Sequence, residues 1–299
     1  MNTKVYTNVN ELQGFSAKNC PSMPFPGSVL MCPPDHFDII DVKNPFMVGK
    51  VGTVDRKLAV SQWEGVRDAF IKAGKTVKTI TPADGLEEMV FSANQTIVGL
   101  SARMERICIA SRMRHPSRRR EVPHYEAWFK GEGYQVRKLK EDSTFFEGMG
   151  DCRWHPAKRL LWAGYGFRSD PEVLDEIAEI LEAPIIRLKL VNERFYHLDT
   201  CFCPLTQEAV LIYPPAFDPA SLELIFKIFP VVLAAEEGEA NRLLPCNAAV
   251  VDSRFAIVQK GADVSIRHMK AVGLEVIPVD TSEFVKSGGS AFCVSMQYF

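Results

Sequence analysis

The 299 residues have little excess charge of either sign: 35 lysines and arginines stand against 37 aspartates and glutamates, a formal net charge of −2. The basic excess expected of a nucleic-acid or membrane-surface binder is missing. No apolar run approaches the roughly 18–20 residues needed to span a bilayer, so neither a nucleic acid nor a membrane is an expected partner. Met1 to Asn8 has no apolar stretch and no small-residue cleavage pattern, so no signal peptide is read there. The eight cysteines (Cys20, Cys32, Cys108, Cys152, Cys201, Cys203, Cys246, Cys293) are scattered, unlike a compact disulfide framework. A cytoplasmic protein with reduced thiols is expected. Cys201 and Cys203 lack a second pair at zinc-like spacing, and no metal is expected. Gly164-Tyr165-Gly166 lacks the third glycine of a dinucleotide fingerprint, and a phosphate-cradling loop and a serine elbow are missing too. No cofactor is expected.

What remains is ordinary globular material, 46% hydrophobic and 24% charged, long enough to bury a substantial core without staples. Its organisation is more informative. A helix-like segment followed by a short β-branched run occurs five times. Ser61–Ala73 leads to Thr76–Ile80, Val122–Lys130 to Tyr134–Leu139, and Pro171–Leu181 to Ile185–Val191. Pro219–Ile228 leads to Pro230–Leu233, and Asp263–Val272 to Leu274–Val279. Further strands are expected at Thr96–Leu100, Leu160–Tyr165, Ala209–Tyr213, Ala248–Val251 and Phe255–Val258. Repetition of one unit that cannot bury its apolar face alone suggests a closed, propeller-like α/β arrangement. A generic two-domain α/β protein that repeats by chance is the competing reading. No low-complexity linker divides the chain. Arg112–Glu121, with Arg112, Arg114, Arg118, Arg119 and Arg120, reads as a loop with a solvated face.

Three segments can carry chemistry. If residues 291–296 are extended, Ala291, Cys293 and Ser295 share one face, and Phe292, Val294 and Met296 the other. Cys293 then lies on the small, polar side, after glycines that let a ligand approach the backbone. A free cysteine is also a common small buried hydrophobe. Alternation over Phe195–Thr200 puts His197 and Asp199 together, a base with a carboxylate to orient it, although His197 read alone fits a core histidine equally well. Phe145–Asp151 sets Glu147 and Asp151 around two glycines. A turn with Asp151 as a local backbone acceptor explains that pattern; so does a carboxylate aimed at a planar cation.

Taken in order, Phe146-Glu147-Gly148, Arg168-Ser169-Asp170, His197-Leu198-Asp199 and Gly288-Gly289-Ser290-Ala291-Phe292-Cys293 resemble the amidinotransferase and dimethylarginine dimethylaminohydrolase superfamily, the pentein fold. Met31-Cys32-Pro33-Pro34, Asn44-Pro45-Phe46-Met47, Glu88–Asn94 and Arg114-His115-Pro116 look like its arginine dihydrolase-like branch. The resemblance spans residues 30 to 296. It implies a five-bladed αβ propeller with pseudo-fivefold repeats, one guanidino-modifying domain over residues 1–299, and a site on the central axis. It further implies that Cys293 is the nucleophile forming a covalent amidino-thioether. His197 would protonate the leaving amine and then activate water, and Glu147 would hold the guanidinium. Asp199 would contact the substrate or support His197. Arg114 and Arg168 would grip an α-carboxylate, which suits their planar forks. Asn94 stands where related deiminases carry Asp, and with Asn44 it resembles the dihydrolase branch. An amide that both donates and accepts can also hold a neutral ureido group. The implied reaction is arginine to ornithine, ammonia and carbon dioxide. Dimethylarginine dimethylaminohydrolase or arginine deiminase chemistry giving citrulline is the alternative, and amidino transfer a further one. Glu88 and Ser290-Ala291 depart from the usual pattern without touching the proposed chemistry. The expected partner is a small guanidino compound, with room left for a homo-oligomer, and no ornithine-converting domain is expected. The fold also serves non-catalytic ribosome-binding factors, but those lack the Cys, His and Glu set.

Overall fold

Five helix-then-strand units form where the apolar spacing puts them. The computed structural model describes residues 3–140 and 144–299. Its main helices are Arg56–Lys72, Val122–Gly131, Leu174–Leu181, Pro219–Ile228 and Asp263–Ala271. They lead into strands Thr76–Thr79, Gln135–Arg137, Ile185–Lys189, Val231–Ala234 and Glu275–Val279. Local chemistry accounts for them. Leu174, Ile177, Ala178 and Leu181 bury one stripe of their helix. Asp218 caps the next helix by accepting from Ser221 N at 2.9 Å, with Pro219 preset for the first turn.

The chain is a mixed α/β fold of five separate small sheets, all on one plan. A first strand pairs antiparallel with a second, and the second pairs parallel with a third after a helical crossover. Thr96–Leu100, Arg106–Ala110 and Gln135–Arg137 make one such sheet. Cys152–Trp154, Leu161–Tyr165 and Ile185–Lys189 make the next, followed by Phe202–Pro204, Ala209–Ile212 and Val231–Ala234. Ala249–Val251, Phe255–Gln259 and Glu275–Val279 make the fourth. In the fifth, Met296–Tyr298 supplies the first strand, antiparallel to Ser28–Met31, which runs parallel to Thr76–Thr79. Residues near one end of the chain thereby complete a sheet begun near the other.

Burial grades across each sheet. The middle strands Leu161–Tyr165 and Ala209–Ile212 are buried almost throughout, which is why they read as unbroken apolar runs. The third strands Thr76–Thr79 and Val231–Ala234 are largely exposed or half-buried. Ile185–Lys189 is the buried exception, because Val5–Tyr6 adds beyond it in parallel and takes over the open edge. Among the described residues no helix is long and apolar enough to cross a membrane.

Three local expectations are corrected. Residues 291–294 form a turn rather than an extended run, with Val294 N donating to Ser290 O at 3.2 Å and Ser295 N to Phe292 O at 3.0 Å. The strand starts only at Met296. The cause is Asn247, whose Oδ1 accepts from Ser290 N at 2.8 Å and Cys293 N at 3.1 Å and so takes the place of a ladder partner. Phe195–Thr200 is not a strand either: it comprises the ends of two 3-10 turns, Glu193–Phe195 and Leu198–Thr200. The arginine-rich segment is not simply a solvated face. Pro116–Arg119 is helical, and Arg118 is buried against Glu121, with Nη2 to Oε2 at 3.0 Å.

Candidate active site

Each sheet's first strand is preceded by one turn, and these five turns carry Asn94, Asp151, Asp199, Asn247 and Cys293. Hydrogen bonds join them in a closed ring. Ala93 N donates to Cys293 O at 3.1 Å, and Met149 N donates to Ala93 O at 2.9 Å. Leu198 N donates to Asp151 Oδ1 at 3.2 Å, and Asn247 Nδ2 to Asp199 O at 3.2 Å. The contact from Cys293 N to Asn247 Oδ1 closes the circuit. Side chains at sequence separations of up to about 200 residues are thus fixed on one small frame of satisfied backbone groups.

Cys293 is buried on this frame. Its thiol donates to Asp199 Oδ2 at 3.0 Å and accepts from Asn247 Nδ2 at 3.0 Å. Burial first, and the Asp199 carboxylate second, push the thiol well above its ordinary pKa. Burial likewise raises Asp199 to about 6, against the opposing pull of His197 and the Cys293 hydrogen bond. Asp199 Oδ1 is buried and has no hydrogen-bond partner among the described residues. Gly289 matters for packing: a Cβ there would lie 2.7 Å from Phe91 and 2.9 Å from the Cys293 Cβ. The close approach its small size permits is to the protein itself.

His197 lies between two carboxylates, with Nε2 3.1 Å from Glu147 Oε2 and Nδ1 3.0 Å from Asp151 Oδ1. Burial would lower its pKa, but Asp151 and Glu147 outweigh that and push it up to about 9. Burial would raise Glu147, but Arg168 and His197 hold it well below the usual carboxylate range. Gly150 makes the arrangement fit, because a Cβ there would collide with Asn94 Nδ2 and sit 3.3 Å from His197 Nδ1.

The expected site residues therefore divide. Cys293 and Asp199 touch, and His197, Glu147 and Asn94 form a second group, with Asn94 Nδ2 3.4 Å from His197 Nε2. The imidazole is flanked by Asp151 rather than Asp199, because the 3-10 turn after His197 carries Asp199 across to the thiol. Arg168 is buried, with Nη1 on Glu147 Oε2 at 3.2 Å, Nη2 on Lys43 O at 2.7 Å and its plane over the Tyr196 ring. Arg114 is half-exposed. Its Nη2 donates to Asp170 Oδ1 at 2.6 Å, its backbone N to Glu147 Oε1 at 2.9 Å, and its buried Nε has no partner among the described residues. Asn44 caps a short turn through Phe46 N and donates to Tyr196 OH and Ser287 O.

Two residues were missing from the sequence reading: Asp151 as the partner of His197 Nδ1, and Asn247 as the residue that holds the Cys293 turn. A positional signal existed. Asp151 stands one residue before Cys152–Trp154 and Asn247 two before Ala249–Val251, just as Asn94 stands two before Thr96–Leu100. Chemically, a buried thiol, a proton-holding imidazole and three buried carboxylates converge, with one arginine behind them. That set suits a planar cationic electrophile attacked at carbon, with an acid in place for its leaving group.

A family model for eukaryotic N,N dimethylarginine dimethylhydrolases matches residues 40–299. The chain is 39% identical over 271 residues to the bifunctional arginine dihydrolase/ornithine cyclodeaminase AgrE of Nostoc sp., covering 90% of this chain but only 37% of that protein. It thus spans little more than a third of the length of that relative. The N-terminal domain of ArgZ, a bifunctional protein of the same description from Synechocystis sp., is similar in structure. An asparagine-to-serine variant of that domain, covalently bound to a reaction intermediate, superposes with a TM-score of 0.85 at 36% identity, covering 91% of this chain and 97% of that one. A cysteine-to-serine mutant bound to substrate gives 0.85 at 37% identity, covering 90% and 97%.

Proposed function

Because the chain belongs to the N,N dimethylarginine dimethylhydrolase family, we propose that it hydrolyses the guanidino group of arginine through a covalent bond to Cys293, giving ornithine, ammonia and carbon dioxide. The observation that carries this reading is the neutral amide of Asn94 beside His197, among the carboxylates Glu147, Asp151 and Asp199. A carboxylate there would favour only the cationic guanidinium, whereas an amide also accommodates the neutral ureido group of a first product. A cysteine and an asparagine are also the residues exchanged in the two liganded structures of the ArgZ domain.

In this mechanism the guanidinium enters between Asp199 and Glu147. Its positive charge beside the sulfur offsets the effects that keep Cys293 protonated in the empty site, and the thiol proton passes to solvent through Asp199 Oδ2, its hydrogen-bond acceptor. The thiolate attacks the central carbon. His197 donates its proton to the departing nitrogen, and ammonia leaves an amidino-thioether on Cys293. The imidazole, now neutral, takes a proton from water. That water adds to the same carbon, and the C–S bond breaks to give a ureido group. A second round expels the second ammonia and leaves a thiocarbamate, whose hydrolysis yields a carbamate that falls to ornithine and carbon dioxide. Two waters are consumed for two ammonias released. Asn247 positions the sulfur, and Arg168 keeps Glu147 ionised. Arg114, nearer solvent, takes the α-carboxylate.

We read residues 1–299 as one guanidino-modifying unit, with the five sheets as blades around the axis where the five turns meet. Eight thiols outside any disulfide fit a reducing cytoplasm. The test is a mass-spectrometric product panel on arginine, Nω,Nω-dimethylarginine, and arginine with glycine. Ornithine and ammonia from arginine without accumulating citrulline support the proposal. Citrulline with dimethylamine would instead indicate dimethylarginine hydrolysis, and guanidinoacetate amidino transfer.

A further inference from the structure

Independently of the arginine reading, we propose that the apolar cavity lined by Arg153 is a second small-molecule site, taking a ring that carries one carboxylate. The cavity holds about 100 Å³ between Pro24, Phe25, Pro26, Trp154 and Phe292, on the scale of cavities that take up a benzene ring. Arg153, His155, Asp252, Ser295 and Gln297 also line it, and apolar walls with a few polar groups are the usual make-up of a ligand pocket.

Arg153 is the cation among them. It is only 5% exposed, and its guanidinium stacks on the Phe292 ring at 3.6 Å from the centroid. Its hydrogen bonds are long: Nη2 reaches Ala248 O at 3.5 Å and Cys203 Sγ at 3.7 Å. Nη1 is buried with no hydrogen-bond partner among the described residues. Arg159 is in the same state, buried with a partnerless Nη1 and only the Leu100 carbonyl on Nη2, but it lies away from this cavity, and the other two buried arginines are paired. Arg118 is paired with Glu121 and Arg168 with Glu147, whereas among the described residues no carboxylate pairs with Arg153. Asp199 feels its charge without lying at ion-pair distance. Asp252, at the cavity wall, is held by Lys75 Nζ at 2.6 Å. A buried cation without a counter-charge is costly, and a carboxylate that reached the guanidinium from the cavity, with the side chain shifting to uncover a nitrogen, would remove that cost while its ring filled the apolar walls. Such a ligand would rest against Phe292, the residue before Cys293, without entering the ring of catalytic turns.

Titration calorimetry of the intact chain with benzoate, and with benzyl alcohol as its neutral counterpart, tests the site. Benzoate should bind saturably and about tenfold or more tighter than the alcohol, the range of one charge-assisted hydrogen bond. Arg153→Met, whose side chain can still cover Phe292, should abolish the preference. Phe25 is 39% exposed, so Phe25→Ala should fold normally and weaken both ligands, which keeps the test decisive if Arg153→Met does not fold. Arg114→Ala should leave benzoate binding unchanged. Three results would each overturn the proposal: no saturable benzoate binding, equal binding of the two probes, or benzoate binding that survives Arg153→Met but is lost in Arg114→Ala.

Discussion

Replacing Asp151 with asparagine removes one of the two charges that keep His197 protonated while nearly preserving shape. The carboxylate lies 3.0 Å from Nδ1 in a buried site. At an effective dielectric near 20 and a charge separation near 4 Å, such a pair contributes about 4 kcal/mol to the protonated ring, about three tenfold steps in proton affinity. Asparagine keeps a dipolar oxygen beside Nδ1 but not the charge, so about two of those steps should be lost. Burial opposes the charged ring, and the wild-type imidazole is held at about 9 only by Asp151 and Glu147. In the variant it should titrate near 7. His197 must be protonated when ammonia leaves. The basic limb of kcat/KM should therefore fall away near pH 9 in the wild type and about two pH units lower in the variant. Ammonia release measured over roughly pH 6 to 10 reads this directly, with thermal melts at each pH to confirm folding. A folded Asp151→Asn protein whose basic limb stays near pH 9 would refute the assignment. Linkage gives a second readout. The folded-state value lies above the unfolded value of about 6.5, so this stabilisation is complete below about pH 6.5 and lost as pH rises through about 9. That slope in melting temperature should flatten in the variant.

Asn94→Asp should shift products from ornithine toward citrulline, because a carboxylate favours the guanidinium over the ureido group; an unchanged product ratio by mass spectrometry would contradict the role given to the amide. Asn247→Ala leaves the N–H groups of Ser290 and Cys293 without their acceptor, and should cost about 2–4 kcal/mol of stability in urea melts. It should lower kcat more than it raises KM, since the lost contacts hold sulfur rather than substrate, and a variant with wild-type stability and kcat would remove Asn247 from that role. Chloroacetamidine should alkylate Cys293 about tenfold or more faster than neutral chloroacetamide, since a cation offsets the effects that keep the thiol protonated. Equal rates would mean the thiol is already ionised in the empty site.

Much of the fold could be read because apolar spacing is local. The stripe Leu174, Ile177, Ala178 and Leu181 marks its helix without any tertiary knowledge, and Ala209–Ile212 and Phe255–Val258, within the middle strands, stand out as unbroken apolar runs. The short first strands Cys152–Trp154 and Phe202–Pro204 do not, since each is three residues long and carries Arg153 or Pro204. Missing them concealed the rule that places a polar residue just before each first strand, so Asp151 was read beside Glu147 rather than beside His197, and Asn247 was not singled out. Cys293 was reached through an alternation that the chain does not have. Its turn is imposed by Asn247, 46 residues away, and such a contact leaves no mark in local periodicity. The partner of His197 was likewise misread because Asp199 is near in sequence, whereas Asp151 is near only in space.

The central claim is that Cys293 carries the chemistry on the guanidino carbon. Its most direct test follows guanidino-labelled arginine with the wild-type chain and with Cys293→Ala, each shown to be folded by its melting curve. The wild type should yield ornithine, with the label in carbon dioxide, while the variant leaves arginine intact. Ornithine formed by a folded Cys293→Ala chain would contradict the claim.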